Sequence, residues 1–232
     1  MKSSKKMQQI VTWIAQKHDF DLSSISTHLR LEMKHMDPLV IEKLDQHLLS
    51  VAHYYMPKGI YLADPEIIFC TGTSQWVPIA VTQLLGGFRR YASLSADGDV
   101  SIVEPKLQQD LAGFADQWAE NIKAQAWLER GRCKEHMRPN FQHRFPLGRL
   151  LVTDGAKEAL EQAGQDSSEF FIRHQAGDYG EIDQDDVSRN TENLKGLGGT
   201  IMSSYFLYSR TKIWVITDAD WSRTTILLPE EY

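Results

Sequence analysis

The sequence predicts an α+β protein of two modules, and three observations carry that expectation. Helical periodicity is lost after Glu129, a basic proline-containing stretch follows over residues 131–148, and the charge balance changes sign across it. Residues 1–149 hold 18 Lys and Arg against 16 Asp and Glu, or +2, whereas residues 150–232 hold 7 against 15, or −8. The expected organisation is a mixed, mainly helical module with a small sheet over residues 1–130 and a basic linker over 131–148. An acidic α+β module then fills 149–232, its helices followed by a three-stranded antiparallel meander.

With 232 residues and a hydrophobic fraction of 42%, the chain has enough apolar surface for real cores. Its longest apolar runs fall far short of the about 20 residues that a membrane span needs. The basic start at Met1 to Lys6 is followed by alternating polar and apolar residues rather than an apolar signal core, so a cytoplasmic protein is expected. The two cysteines, Cys70 and Cys133, have no Cys or His at metal-ligand spacing, so free thiols are expected, with neither zinc nor disulfide and no cofactor.

In the first module, Met7, Ile10, Val11 and Ile14 fall at helical spacing. Asp37-Pro38 has the form of a helix start, and Leu39, Ile41, Leu44, Leu48, Leu49 and Ala52 extend it as a second helix up to Tyr54. Ile60 to Ala63 and Ile67 to Thr71 are β-prone runs that make a small sheet. Trp76 to Leu85 reads as a helix with Pro78 in its first turn, and Tyr91 to Leu94 pairs with Val100 to Val103 across a turn at residues 96–99. From Glu104-Pro105 to Glu129, Leu107, Leu111, Phe114, Trp118, Ile122 and Trp127 form one helical stripe, a core face in preference to a ligand site.

The second module opens with a short strand at Arg149 to Val152. Thr153 caps a helix that closes at Gly164, Asp166-Ser-Ser-Glu169 opens another that stops at Gly177, and Asp183 opens a third that stops at Gly196. Thr200 to Tyr208, Lys212 to Ala219 and Thr224 to Pro229 supply the meander.

Three ordered blocks carry a resemblance. They are the run from His174 through Asp178 and Tyr179 to Glu181, the run from Lys212 through Trp214 to Asp220, and Arg223 to Tyr232. Together, over roughly residues 149–232, they resemble a family of short bacterial proteins carried on plasmids and integrative elements. The departures are Trp221, where a charged residue is expected, and Tyr179 in place of a Trp. The resemblance implies a mobile-element context and no particular reaction; no family is recognised for residues 1–148.

The helix-then-meander order also looks like that of small metal-independent ribonucleases. That chemistry needs an acid or base, supplied here by His174, and charge stabilisation by Arg210, Lys212 and Arg223, with Thr224 or Thr225 as a hydrogen-bond donor. The competing reading of His174 is a structural residue at a helix end, pairing with Asp178 or capping carbonyls. Trp214, on a strand, serves either the core or an exposed platform.

Asp178, Tyr179 and Trp214, with Arg132, Lys134 and Arg138 of the linker, are the candidate binding residues. No phosphate loop, metalloprotease motif or nucleophile elbow is present. The leading expectation is therefore a mobile-element accessory protein that binds a host protein or nucleoprotein complex and counters restriction or CRISPR defence, an acidic surface imitating the charge of DNA. The alternatives are a ribonuclease or toxin-like enzyme in the second module, and a DNA-binding regulator using the basic linker.

Overall fold

The computed structural model describes residues 1–25, 27–55, 57–60, 62–94, 100–135, 144–196 and 198–232. The chain divides into two compact units, one of Met1–Tyr55, Ala63–Thr82 and Arg90–Pro139, the other of Met56–Leu62, Gln83–Arg89 and Asn140–Tyr232. Among the described residues no helix is long and apolar enough to cross a membrane.

After the helix α1 (Lys5–Lys17), the chain forms strands β1 (Thr27–Glu32), β2 (Leu39–Lys43), β3 (Leu48–Tyr55), β4 (Leu62–Cys70), β5 (Val77–Gln83) and β6 (Gly87–Arg90). A separate hairpin, β7 (Ala92–Leu94) with β8 (Val100–Ile102), precedes α2 (Pro105–Ala124), the short α3 (Trp127–Arg130) and β9 (Arg132–Glu135). Seven of these strands make one large antiparallel sheet in the order β6-β5-β4-β3-β2-β1-β9. The expectation of a mainly helical first module with a small sheet is thereby overturned: this region is β-rich.

Two segments account for the error. Residues 39–54 form the β2–β3 hairpin, with Leu39 opposite His53 and Lys43 opposite Leu49. Its turn is fixed by the Asp45 carboxylate, which accepts from the backbone N–H groups of His47 at 2.7 Å and Leu48 at 2.8 Å. Both faces of the hairpin are largely buried, so apolar residues occupy successive positions and also satisfy a helical template. Val40, Ile41, Val51, Tyr54 and Tyr55 favour the strand.

The Trp76 to Leu85 segment is likewise a strand for most of its length, not a helix. Pro78 is accommodated where the β4–β5 register shifts between Ile68 and Phe69, a bulge that tolerates a missing N–H.

One face of the sheet packs against α1 and α2. Met7, Ile10, Val11 and Ile14 of α1 and Leu111, Ala115, Trp118 and Ile122 of α2 share a core with Leu29, Leu31, Ile41, Val51, Ile67 and Phe69. Ser4 caps α1, accepting from Met7 N–H at 3.4 Å while donating to Asp116 of α2 at 2.6 Å, so one side chain ends one helix and ties it to the other. Trp127, fully buried, anchors α3 in the same core.

The second unit contains β10 (Arg149–Val152), α4 (Asp154–Ala163), α5 (Ser167–Ala176), α6 (Gln184–Lys195), β11 (Ile201–Phe206), β12 (Lys212–Thr217) and β13 (Arg223–Leu227). Its sheet order is β10-β13-β12-β11, with β11, β12 and β13 antiparallel and β10 parallel to β13. Thr153, Asp166 and Asp183 cap the three helices, and Gly164 and Gly177 end the first two in the left-handed conformation, at φ 66° and 81°. Along β11, the Asn190 amide of α6 donates to Met202 O at 2.8 Å and accepts from Met202 N–H at 3.0 Å, satisfying strand groups that would otherwise lie open.

Glu231 is more than a tail. Its carboxylate accepts from the Thr153 hydroxyl at 2.5 Å, Leu228 N–H at 2.7 Å and Gly155 N–H at 3.2 Å, so the segment after β13 closes the N-terminus of α4.

Trp127→Ala removes the largest fully buried side chain of the first unit, and the expected loss is ~3–5 kcal/mol of unfolding free energy, measured by urea denaturation. A loss under about 1 kcal/mol would contradict the core described above.

Candidate functional site

His174 lies in the second unit with no solvent exposure. It sits in the last turn of α5, where Phe171 and Phe170 one turn away fill the same interface. Its Nδ1 is 2.5 Å from Ser203 Oγ of β11 and its Nε2 is 2.9 Å from Thr217 Oγ1 of β12. Thr217 Oγ1 is in turn 2.8 Å from Thr224 Oγ1 of β13, whose hydroxyl donates to Leu147 O at 2.6 Å. The Phe145 ring meets the imidazole edge-on at 5.1 Å. Burial pushes the imidazole pKa down to about 3, so it is neutral near pH 7 and has both ring nitrogens engaged. Asp178 is not its partner: that carboxylate pairs with Arg173 Nε at 2.7 Å and accepts from Gly180 N–H.

Strand alternation decides what else can join His174. Thr217 and Thr224 face α5, so Lys212 and Trp214 of β12 and Arg223 and Thr225 of β13 point to the opposite face of the sheet. The ribonuclease constellation is therefore divided: His174 and Thr224 lie on one side, and Lys212, Arg223 and Thr225 on the other. Arg210, in the turn after β11, is exposed.

On that second face the Lys212 ammonium stands 5.6 Å over the Phe206 ring, and Trp214, half-buried, meets Tyr232 edge-on at 5.7 Å. Phe206 is 54% and Tyr208 80% exposed. Arg223 pairs with Asp218 at 2.5 Å but keeps most of its side chain in solvent. Tyr179, by contrast, is buried, with its ring 6.5 Å from His174, which makes it part of the core rather than a contact residue. Sequence reasoning named Thr224 as a hydrogen-bond donor but missed Ser203 and Thr217, and the meeting of all three depends on strand register. It also treated Trp221 only as a departure: this side chain is buried among Phe88 and Phe145, and its indole N–H donates to Gly199 O at 2.8 Å.

In the first unit, Arg132 and Lys134 stand on β9, which pairs with β1 so that Arg132 is opposite Glu32. With Lys34, Arg130, Glu129, Met33 and Gly131 they line an open cleft of about 640 Å³. Glu32 is held by Arg30 at 3.1 Å and, more loosely, by Lys134 at 3.6 Å. Gly131 is required at the corner: a Cβ there would lie 2.6 Å from Trp127 O and 3.3 Å from Leu31 Cδ1. Cys133 packs partly against the core, which leaves Arg132 and Lys134 exposed. Arg138 lies outside the described residues.

The sheet face away from α1 and α2 carries a row of polar side chains that the sequence did not reveal. His28 is opposite Glu42, Glu42 opposite Ser50, and Glu66 opposite Thr82. Ser50 Oγ donates to Glu66 Oε1 at 2.7 Å and Thr82 Oγ1 to Oε2 at 3.3 Å. Burial, with Glu66 nearby, pushes the Glu42 carboxyl up to about 7, and burial raises Glu66 against the hydrogen bonds that favour its charge. Among the described residues no group of three or more His, Cys, Asp or Glu is placed to hold a metal ion.

These groups give two opposite pH responses. A carboxyl raised from 4.5 to about 7 stabilises the fold most below pH 4.5 and loses that contribution as pH rises through 7. Replacing Glu42 by Gln is accordingly expected to raise the melting temperature relative to wild type at pH 8 more than at pH 5, read by thermal scans across that range. An imidazole lowered from 6.5 to about 3 contributes above 6.5 and loses that contribution as pH falls toward 3. His174→Ala leaves buried hydroxyls short of a partner and is expected to cost ~1–3 kcal/mol at pH 7 by chemical denaturation, more than at pH 4. Equal losses at the two pH values would contradict a neutral buried imidazole.

A family model described as a domain of unknown function (DUF6908) matches residues 5–128. No curated protein and no solved structure matches the chain. The matched stretch begins with α1, contains the whole of β1 to β8 and α2, and ends inside α3, leaving the second unit's main segment outside it. Because it takes in more than half of the 232 residues, the chain belongs to the DUF6908 family.

Proposed function

We propose that this protein acts by binding a host protein or nucleoprotein complex, as an accessory factor of a mobile genetic element. The observation that carries this reading is the division of the second unit's candidates. Among the described residues of that unit the one histidine, His174, is buried and neutral, while Lys212, Trp214, Arg223 and Thr225 share the other sheet face with an exposed Phe206. Side chains that lack a positioned acid or base but combine aromatic surface with cations suit recognition better than proton transfer.

Two further features support it. Residues 150–232 carry a charge of −8, so a partner that normally reads phosphate meets a comparable field. The resemblance over residues 149–232 supplies the mobile-element context, in which restriction or CRISPR machinery is the class of target.

The test compares capture from host lysate by the full chain and by Phe206→Ala/Lys212→Ala, at low and moderate salt, with total RNA monitored in parallel. The expected outcome is a partner retained by the wild type, reduced at least tenfold by the double variant, with RNA intact throughout. Equal capture by both proteins would reject the surface. RNA cleavage that disappears in His174→Ala would reject binding as the activity and restore catalysis.

A further inference from the structure

The cleft beside β9 has a chemistry that the proposed binding role does not use. Lys34 comes from the turn after β1, Arg130 from the end of α3, and Arg132 and Lys134 from β9; pairing of β1 with β9 brings these cations together from segments about a hundred residues apart. Among the described residues Lys34, Arg130 and Arg132 form no ion pair, and Lys134 reaches only Glu32, at 3.6 Å. All four are exposed around one concavity of about 640 Å³.

Like charges lining one cleft repel each other, and an anion seated among them offsets that repulsion while gaining charge-assisted hydrogen bonds. Two of the four are arginines, whose fork of donors matches the oxygens of a phosphate. The volume falls within the range of small-ligand sites and exceeds what a lone inorganic anion fills.

The rest of the lining narrows the ligand class. Met33 offers an apolar, polarisable surface for a ring. Glu129 is exposed and, among the described residues, its carboxylate forms no ion pair, which leaves an acceptor for a hydroxyl or amino donor. Glu32, by contrast, is occupied by Arg30 and Lys134 and acts to position the latter. Cations, an apolar surface and a free acceptor together match a molecule that carries phosphates, a ring and hydroxyl groups.

We propose that this cleft binds the phosphate groups of a nucleotide, either free or at the end of a nucleic acid strand. The site lies within the first unit and shares no residue with the second unit's sheet face, so it stands or falls independently of the binding role above.

The experiment is isothermal titration of the full chain with adenosine triphosphate, sodium tripolyphosphate, a hexaglutamate peptide and oligothymidylates of 3 and 12 nucleotides. The variants are Arg130→Gln/Arg132→Gln, Lys34→Gln and, as a control, Arg189→Gln on exposed α6. The expected result is saturable binding of adenosine triphosphate and tripolyphosphate, weakened at least tenfold by the double variant and at least threefold by Lys34→Gln. Melting temperatures and the Arg189→Gln affinity remain unchanged, and hexaglutamate does not bind.

Lys34→Gln keeps the test decisive should the double variant fail to fold, since it alters a different element. Oligonucleotide affinity no greater than that of tripolyphosphate identifies a free nucleotide as the source. A gain of tenfold or more at 3 nucleotides, unchanged at 12, identifies a strand end. No saturable phosphate binding, undiminished binding by both cleft variants, equal binding of hexaglutamate, or affinity that keeps rising from 3 to 12 nucleotides would overturn the proposal.

Discussion

Packing of the α1–α2 pair against one face of the large sheet is the constraint on which most of the first unit depends. Met7, Ile14, Trp118 and Ile122 meet Leu29, Ile41, Val51 and Phe69, and hydrophobic burial on this scale is the main favourable term in such a fold. It also determines where polar chemistry can go. Once odd-numbered residues of β2 and β3 face the helices, Glu42 and Ser50 must face the other way, and their neighbours on β1, β4 and β5 complete the row. The same core holds Trp127, and the chain then turns through Gly131 into β9. The cleft wall is thus a by-product of how a tryptophan is buried.

Much of the second unit was legible in the sequence, because its signals are local. Thr153, Asp166 and Asp183 each precede a helix that they cap by accepting a hydrogen bond from a backbone N–H, and glycines at 164 and 177 supply the left-handed conformation that ends two of them. The first unit misled because its signals are not local. Where both faces of a strand pair are buried, apolar residues stop alternating, and Leu39, Ile41, Leu48 and Leu49 fit a helix as well as a hairpin. An Asp-Pro pair suits a helix start and a loop before a strand equally. α1 escaped this ambiguity since polar Gln8, Gln9 and Gln16 separate its apolar residues in sequence and leave them at helical spacing.

The candidate sites divide in the same way. Arg132 and Lys134 were visible as a basic run, yet Lys34 joins them only through strand pairing, and no spacing in the chain announces it. Glu42 and Glu66 sit 24 positions apart and interact only once β3 lies between them. His174 shows the reverse case: the residue with the most chemical promise on paper owes its position to packing. Two hydroxyls take up its ring nitrogens, and burial removes the charge that catalysis near neutrality would draw on.

The parallel pairing of β10 with β13 has a consequence for how the molecule is made. Arg149 is opposite Arg223, and between them lie three helices and two strands, so the sheet's edge forms from residues far apart in the chain. Glu231, beyond β13, then supplies acceptors to the first turn of α4. Long-range pairing of this kind is intrinsically slow, whereas helices form from local contacts. The second unit's sheet therefore cannot close until β13 is in place beside β10, even where the three helices between them in the chain form earlier from local contacts.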